Sequence, residues 1–310
     1  MAHEFRSSGV EVVVPASSAN LGPGFDCVGL ALALHDHLVA MVTEDPGVLV
    51  HVEGEGADFL PRDERHLVAR SMTRAWAAMG VEAPGFVLRC ENSIPQSRGM
   101  GSSAAAIVGG ILLARGLVVD GEALLPDEAV LDLATRMEGH PDNAAAVLLG
   151  GFTTAWVETP GIDDVHARAV SRDVHEAIVP VVFIPPSGMS TASARRMLGE
   201  SVSREDAVFN VGRASLLVHA LADDPALLMP ATEDRLHQDA RATAYPESHA
   251  LMTHLRSLGV AAVISGAGPS VLALAMEESV PLVTQQSPSG WRALVLAVDG
   301  LGARVHVRGA

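Results

Sequence analysis

The stretch from Glu91 to Gly116 constrains the fold more than any other part of the chain. A predicted strand, Phe86–Cys90, leads into the turn-forming loop PQSRGMGSS and then into the uncharged apolar run Ala104–Ala114, which predicts a buried helix. Glycines let a backbone approach a ligand closely, and the first N–H groups of a helix have no partner within it. This order predicts a site for an anion, and we expect a nucleotide phosphate. The alternative for so short a motif is an ordinary turn that caps a buried helix.

The chain contains no lysine, because all 21 of its basic residues are arginine. This absence excludes the P-loop lysine, the strand lysine of protein kinases and Schiff-base chemistry. A bound phosphate would therefore be held by backbone amides, arginine and a metal ion. The formal net charge of −16 also predicts that nucleic acid is not a standing partner, since such binding depends on neutralising phosphates.

The composition predicts a folded cytoplasmic protein. The 310 residues, of which 48% are hydrophobic and 19% charged, suffice for two domains of ordinary size. No uncharged apolar run reaches membrane-spanning length, so we expect no membrane partner. The first residues, MAHEFRSS, lack the pattern of a secretion signal, and Cys27 and Cys90 are too few for a disulfide framework.

Turn-forming residues dominate the segment that follows the first predicted strand, Val10–Val14. We interpret residues 15–32, PASSANLGPGFDCVGLAL, as a loop in which Asn20 and Asp26 are the polar side chains able to reach a ligand.

A second polar cluster, EGHPDN at residues 138–143, lies between two predicted helices. Pro141 suits the first turn of the second helix, which places Asp142 and Asn143 at a helix start. These two side chains can contact a ligand or can simply cap the helix, and the sequence alone leaves both readings open.

The segment ETPGIDD, residues 158–164, has the composition of a linker. It predicts an N-terminal domain at residues 1–160 and a C-terminal domain at residues 161–310. In the second domain we expect Ser190 to cap a short helix that carries Arg195.

Two further features of the C-terminal half concern binding. Arg241 falls in a connection within LHQDAR. The predicted strand Val260–Ile264 runs into the glycine-rich turn SGAGPS, a second place where backbone amides could approach an anion.

Three glycine-rich segments thus stand in order along the chain: PASSANLGPGFDCVGLAL, IPQSRGMGSSAAA and ISGAGPSVLAL. Together they resemble the GHMP family of small-molecule kinases over nearly the whole chain. The first segment and EGHPDNAAAVLLGGFT are most similar to the members that phosphorylate the side-chain hydroxyl of L-homoserine on the route to threonine. The resemblance implies a homodimer and an α+β fold of two domains, the first like domain 2 of ribosomal protein S5 and the second ferredoxin-like.

The resemblance also implies sites for ATP and Mg²⁺. ATP, with its adenine in the syn conformation, would place its phosphates on the central loop. Ser102 and Glu138 are expected to hold Mg²⁺, with Asp132 as the alternative to Glu138. The residues expected to contact the nucleotide are Pro95, Gln96, Ser97, Arg98, Gly99, Met100, Gly101, Ser102, Ser103, Gly266 and Gly268.

For L-homoserine, the resemblance implies that Asn20 and Asp26 hold the hydroxyl end and the amino group, with Asn143 in the wall of the same pocket. Arg195 and Arg241 would bind the α-carboxylate, which suits the planar fork of a guanidinium group. The family's usual HQPYR around the second arginine is HQDAR in this chain.

The expected catalytic residues are Asn20, Asp142 and Arg195. Phosphoryl transfer needs mainly alignment and charge neutralisation, so we expect Asn20 and Asp142 to orient the hydroxyl. Asp142 as a general base is the competing hypothesis.

Two other functions stay open at this point. One is a kinase of the same family that acts on mevalonate or shikimate, and the other is a ligand-sensing relative without turnover. The two arginines and Asp26 favour an amino-acid substrate, because mevalonate offers no ammonium group to Asp26.

Overall fold

The computed structural model describes residues 4–161, 164–189 and 194–308. The strands are β1 (Val10–Asn20), β2 (Gly24–Thr43), β3 (Val48–Gly54), β4 (Gly85–Asn92), β5 (Phe152–Gly161), β6 (Asp164–Arg172), β7 (Ile178–Ile184), β8 (Ala261–Ile264), β9 (Val271–Met276), β10 (Arg292–Val295) and β11 (Arg304–Val307). The helices are α1 (Leu67–Ala78), α2 (Ser102–Leu117), α3 (Gly121–Leu124), α4 (Asp127–Glu138), α5 (Asp142–Leu149), α6 (Arg204–Ala222), α7 (Leu228–Ala231), α8 (Pro246–Ser257) and α9 (Val280–Thr284), with short 3₁₀ turns at Pro225–Leu227, Asp239–Ala244 and Glu277–Ser279.

The N-terminal unit is built on a seven-stranded sheet. Its main path has the order β11-β1-β2-β4-β3, and β5 joins β2 to β6. Strands β3 and β4 are parallel, and the other neighbours are antiparallel. Helices α1, α2, α4 and α5 pack on this sheet and share one hydrophobic core with it.

Helix α2 lies at the centre of that core, because its only charged residue is Arg115 in the last turn and most of its side chains are buried. The buried Trp76 of α1 fixes the helix laterally by donating its indole N–H to the Ala114 carbonyl at 3.1 Å and packing edge-on against Phe86. This contact holds the first turn of α2 at the point where the central loop, which follows β4, leads into the helix.

The C-terminal unit has a separate four-stranded antiparallel sheet of order β10-β7-β9-β8. One face packs against α8 and α9 in a second core that includes Leu255, Val283 and Phe183. The other face joins the main core through residues such as Val182 and Leu272. Within the described ranges, no helix is both long enough and apolar enough to cross a membrane.

The loop expected over residues 15–32 is wrong. Residues 15–20 continue β1, and β2 begins at Gly24, so the segment is a hairpin with a short turn. Ser17 and Ser18 are fully buried in β1, where the Ser17 hydroxyl donates to Asn143 Oδ1 at 2.9 Å and the Ser18 hydroxyl lies 2.8 Å from that of Ser265. Small polar residues stand here because the central loop and the second glycine turn pack directly against the strand.

The linker expected at residues 158–164 overlaps two paired strands, because residues 158–161 end β5 and Asp164 begins β6. A division after residue 160 would separate two strands of one sheet. We propose instead that the N-terminal unit runs through β6 and regains β11 from the end of the chain. Ser190, expected to cap the helix of Arg195, lies outside the described residues.

Candidate active site

The central loop alternates between two backbone conformations. Ser97, Gly99 and Gly101 have φ values of +56°, +73° and +69°, whereas Arg98 and Met100 between them are not in the positive-φ region. Alternation of this kind turns successive N–H groups toward one side and makes a concave site for an anion.

The hydrogen bonds of the loop show which of its backbone groups are bonded within the protein and which are available to a ligand. The five carbonyls of residues 96–100 each accept a hydrogen bond: from the Arg98 guanidinium, Met189 N–H, Ser270 N–H, Ser265 Oγ–H and Ser17 N–H, in that order. Within the described part of the chain, no hydrogen bond uses an N–H group of residues 97–103. The loop therefore directs its acceptors into the protein and leaves its donors for a ligand.

The N-terminus of α2 completes this row of donors. Its N-cap is Gly101, in the left-handed region, and no side chain caps the helix. A Cβ at Gly101 would lie 1.9 Å from Ser17 Oγ, so only glycine lets the loop approach β1 this closely. The uncapped N–H groups and the positive end of the helix dipole both favour an anion.

Glu138, at the end of α4, faces the same helix start. One of its carboxylate oxygens accepts a hydrogen bond from the Ser103 hydroxyl at 2.8 Å. Burial raises the pKa of Glu138, and the bond from Ser103 only partly opposes this. Asp132, the alternative metal ligand, is engaged elsewhere: it accepts from the Ala167 N–H at 2.6 Å and lies 3.2 Å from His166. Asp132 is therefore bound to β6 and is not among the residues that line the cavity beside the loop.

His140 and Asp142 form a buried pair at the start of α5, with Nδ1 and Oδ1 2.5 Å apart. The same oxygen accepts the Asn143 N–H at 2.7 Å. Burial by itself would lower the pKa of His140, but the hydrogen bond and the charge of Asp142 outweigh it and hold that pKa above its usual value. The charged imidazolium is thus favoured next to the carboxylate.

Two arginines, Arg195 and Arg241, also line the cavity. Arg195 Nη2 lies 2.5 Å from Asp26 Oδ1. Arg241 is 1% exposed, donates its Nε–H to the Ala194 carbonyl and has no salt-bridge partner within the described part of the chain. Both guanidinium groups lie near the ring of Phe25, whose centroid is 5.6 Å from the guanidinium carbon of Arg195 and 5.5 Å from that of Arg241. A buried cation without a counter-ion makes this part of the cavity suitable for an anionic group.

Asn20 links two turns beside the cavity. Its Nδ2 donates to the Gly266 carbonyl at 2.8 Å, and its Oδ1 accepts the Asp26 N–H at 3.0 Å. The amide therefore ties the turn after β1 to the second glycine turn, with one N–H of its amide nitrogen still available.

These groups surround a cavity of about 280 Å³. It is lined by every expected site residue except Pro95 and Gly268. The second glycine turn does not offer the two amides expected of it, because the Gly266 and Gly268 N–H groups donate to the Ala19 and Ser265 carbonyls. Gly268 lies outside this lining, and its contact with the nucleotide stays a prediction.

Comparison with known proteins identifies the family. The family model described as GHMP kinases N terminal domain matches residues 66–151. The homoserine kinase of Streptomyces avermitilis is 52% identical over 301 residues, which cover 97% of this chain and 97% of that protein. The homoserine kinase of Clavibacter michiganensis subsp. michiganensis is 50% identical over 303 residues, covering 96% of this chain and 94% of that protein.

The chain belongs to the homoserine kinases of the GHMP family. Family membership makes it an enzyme, a phosphotransferase that uses ATP. The crystal structure of homoserine kinase from Cytophaga hutchinsonii matches with a TM-score of 0.80 at 25% identity, covering 99% of this chain and 100% of that one. L. major mevalonate kinase in complex with R-mevalonate matches with a TM-score of 0.69 at 15% identity, which concerns the fold alone. The expected α+β GHMP fold is confirmed.

In this homoserine kinase, three contributions to the site were missed from the sequence. His140 has no role in the sequence-based prediction, although its ring pairs with Asp142. Phe25 has no role in the sequence-based prediction, although its ring contacts both arginines and it directly precedes Asp26. Arg98 was expected to bind the nucleotide, but its guanidinium donates to the carbonyls of Pro185, Gln96 and Pro186. The only sequence signal for the first two was their position next to a polar site residue.

Proposed function

We propose that the protein transfers the γ-phosphoryl group of ATP to the side-chain hydroxyl of L-homoserine, which gives O-phospho-L-homoserine for threonine biosynthesis. The observation that carries this proposal is the hydrogen bonding of the central loop: the carbonyls of residues 96–100 all accept hydrogen bonds, whereas, among the described residues, no N–H group of residues 97–103 donates one. That row of donors ends in the same cavity as Asp26, Arg195 and Arg241.

The phosphates of ATP would lie on the N–H groups of residues 97–103. Mg²⁺ prefers few protein oxygens together with phosphate oxygens, and the Glu138 carboxylate with the Ser102 hydroxyl fits that preference. Within the described ranges, no hydrogen bond uses the Ser102 hydroxyl, so it is available as a ligand. Bound there, the ion would neutralise charge on the phosphates without any lysine.

The adenine would enter a second, enclosed cavity of about 80 Å³ that shares Gln96, Leu67 and Ser102 with the main one. Its wall includes His66, which is 4% exposed and has no hydrogen-bond partner on either ring nitrogen. Buried polar atoms without partners are rare, and a purine base offers both donors and acceptors to satisfy them.

L-homoserine would replace the Asp26–Arg195 ion pair with two new ones. Its ammonium group would bind Asp26, and its carboxylate would bind Arg195 and the unpaired Arg241. The substrate would thus be held at its α-carbon, with its side chain directed along the cavity toward the loop.

In the reaction, the hydroxyl oxygen attacks the γ-phosphorus, the bond from that phosphorus to the β–γ bridging oxygen breaks, ADP leaves, and the hydroxyl proton passes through an oxygen of the transferred phosphoryl group to solvent. Asp142 is the carboxylate that would accept the hydrogen bond of the hydroxyl. This carboxylate is already hydrogen-bonded to His140, whose raised pKa favours the imidazolium. We therefore propose that Asp142 orients the hydroxyl, and that Asn20 keeps the Asp26 turn in place.

An ADP-release assay with L-homoserine, mevalonate and shikimate tests the function. Release with L-homoserine alone is expected. Release with mevalonate alone would show that the substrate is mevalonate and not L-homoserine, and release with none of the three would support the ligand-sensing alternative. A cytoplasmic location and a homodimer stay predictions.

Replacing Asp142 by Asn separates the two roles of this residue. An orienting carboxylate leaves turnover reduced by less than about a thousandfold, whereas a larger loss indicates a general base. Asp132→Asn is the matched control, because Asp132 is also a buried aspartate but is bonded to β6; its turnover should stay close to that of the unaltered protein.

A further inference from the structure

Arg98 stands in the middle of the phosphate loop, yet its charge is not directed at the phosphate site. All three guanidinium nitrogens donate to backbone carbonyls: Nε to Pro185 at 3.0 Å, Nη1 to Gln96 at 2.9 Å and Nη2 to Pro186 at 2.5 Å. Two of these acceptors belong to the segment that follows β7 in the other unit. The side chain therefore joins the loop to that segment.

A second contact joins the same two pieces of backbone. The Met189 N–H donates to the Ser97 carbonyl at 2.9 Å. The approach is close at Gly188, where a Cβ would lie 2.0 Å from Arg98 Nη1 and 2.7 Å from the Ser97 carbonyl oxygen. Glycine is required at this position for the arginine to reach both prolines.

The segment that begins at Pro185 ends at the substrate arginines. The Ala194 carbonyl accepts the Nε–H of Arg241, and Arg195 pairs with Asp26. Arg98 thus contacts the chain at Pro185 and Pro186, and Arg241 contacts it again at Ala194, directly before Arg195.

The loop itself does not depend on Arg98 in the same way. Its carbonyls are also held by Ser17 N–H, Ser265 Oγ–H and Ser270 N–H, which come from β1 and the second glycine turn. Loss of the guanidinium removes one of the five hydrogen bonds to the carbonyls of residues 96–100, but it removes both of its bonds to Pro185 and Pro186.

We infer that Arg98 is a positioning residue for the amino-acid substrate, and that it acts by holding residues 185–189, which precede Arg195 in the chain, against the phosphate loop. The inference rests on the proposed function. An arginine within the ATP loop therefore matters more for the binding of L-homoserine than for the binding of ATP.

Steady-state kinetics of Arg98→Met tests this inference. The KM for L-homoserine should rise about tenfold or more, since the lost bonds are charge-assisted, while the KM for ATP should change less than about threefold. Arg98→Lys can reach one carbonyl but not three, so its KM for L-homoserine should lie between those of the unaltered protein and Arg98→Met. If Arg98 binds the nucleotide instead, the KM for ATP rises while that for L-homoserine stays the same, and the inference is overturned.

Arg292→Met is the matched control. Arg292 in β10 also bridges the two units, through Glu55 at 2.8 Å, but it lies away from the cavity. Both of its KM values should equal those of the unaltered protein. Equal rises in Arg98→Met and Arg292→Met would show a general loosening of the two units, which contradicts a specific role for Arg98.

Hydrogen exchange of the ligand-free proteins gives a readout that needs no activity. In Arg98→Met, the Met189 amide should exchange about tenfold faster or more, whereas the amides of β9 should exchange as in the unaltered chain. Gly188→Ala should reproduce both the exchange and the KM pattern if Arg98→Met fails to fold. If the Met189 amide of Arg98→Met exchanges at the unaltered rate, the inference is wrong even if the protein phosphorylates L-homoserine. If the amide exchanges faster but the unaltered protein does not phosphorylate L-homoserine, only the proposed function is wrong.

Discussion

Replacing Asp26 by Asn tests the substrate end of the site. The substitution keeps the size of the side chain and its place after the turn, but it removes the charge that pairs with Arg195. In the bound state it also removes the proposed partner of the substrate ammonium. We therefore expect weaker binding of L-homoserine and unchanged binding of ATP.

The size of the effect follows from the geometry of the pair. A hydrogen bond between charged groups is worth about 1.5–3 kcal/mol. The side chains of Arg195 and Asp26 are 38% and 31% exposed, so solvent screening reduces this to roughly 1–2 kcal/mol. The KM for L-homoserine should accordingly rise about five- to thirtyfold.

The assay measures ADP release with L-homoserine and with 4-hydroxybutyrate, which has the carboxylate and the hydroxyl but no ammonium group. The preference of the unaltered protein for L-homoserine should shrink in Asp26→Asn by about the same five- to thirtyfold, because only L-homoserine loses a partner. Asp127→Asn, which breaks the exposed pair with Arg115, is the control and should change neither constant. An unchanged preference in Asp26→Asn would refute the proposed ammonium site.

Two further predictions concern the loop and its surroundings. Gly101→Ala should raise the KM for ATP about tenfold, because it combines left-handed strain with a contact at Ser17, whereas Gly80→Ala, at φ +70° with nothing within 4 Å, should leave that KM unchanged. Burial raises the pKa of Asp36 to about 6. Its ionisation therefore destabilises the fold as pH rises above the unfolded value of 3.8, and urea unfolding should show Asp36→Asn to be more stable by about 3 kcal/mol at pH 8 and by roughly half of that at pH 5. Equal effects at the two pH values would contradict this assignment.

The central loop and α2 were predictable because their signal is local. An apolar run that follows glycines and serines specifies both the helix and its uncapped start. The same local rules failed for residues 15–20. Serine and alanine there serve close packing between β1, the loop and the second glycine turn, a contact between parts of the chain that are far apart in sequence.

The role of Arg98 could not be predicted for a related reason. An arginine in a phosphate loop suggests a phosphate contact, and only the position of Pro185 and Pro186 shows that its donors are used elsewhere. The pairing of His140 with Asp142 depends on the turn between α4 and α5 and was equally hidden. Resemblance supplied most of the site residues, but not the contacts that hold them.

The most direct test of a nucleotide held by backbone amides is a crystal structure with a non-hydrolysable ATP analogue, Mg²⁺ and L-homoserine. We expect the phosphate oxygens on the N–H groups of residues 97–103 and the γ-phosphorus about 3–3.5 Å from the homoserine hydroxyl oxygen. Phosphates bound away from this loop, or an amino acid bound away from Asp26 and Arg241, would contradict the proposed site.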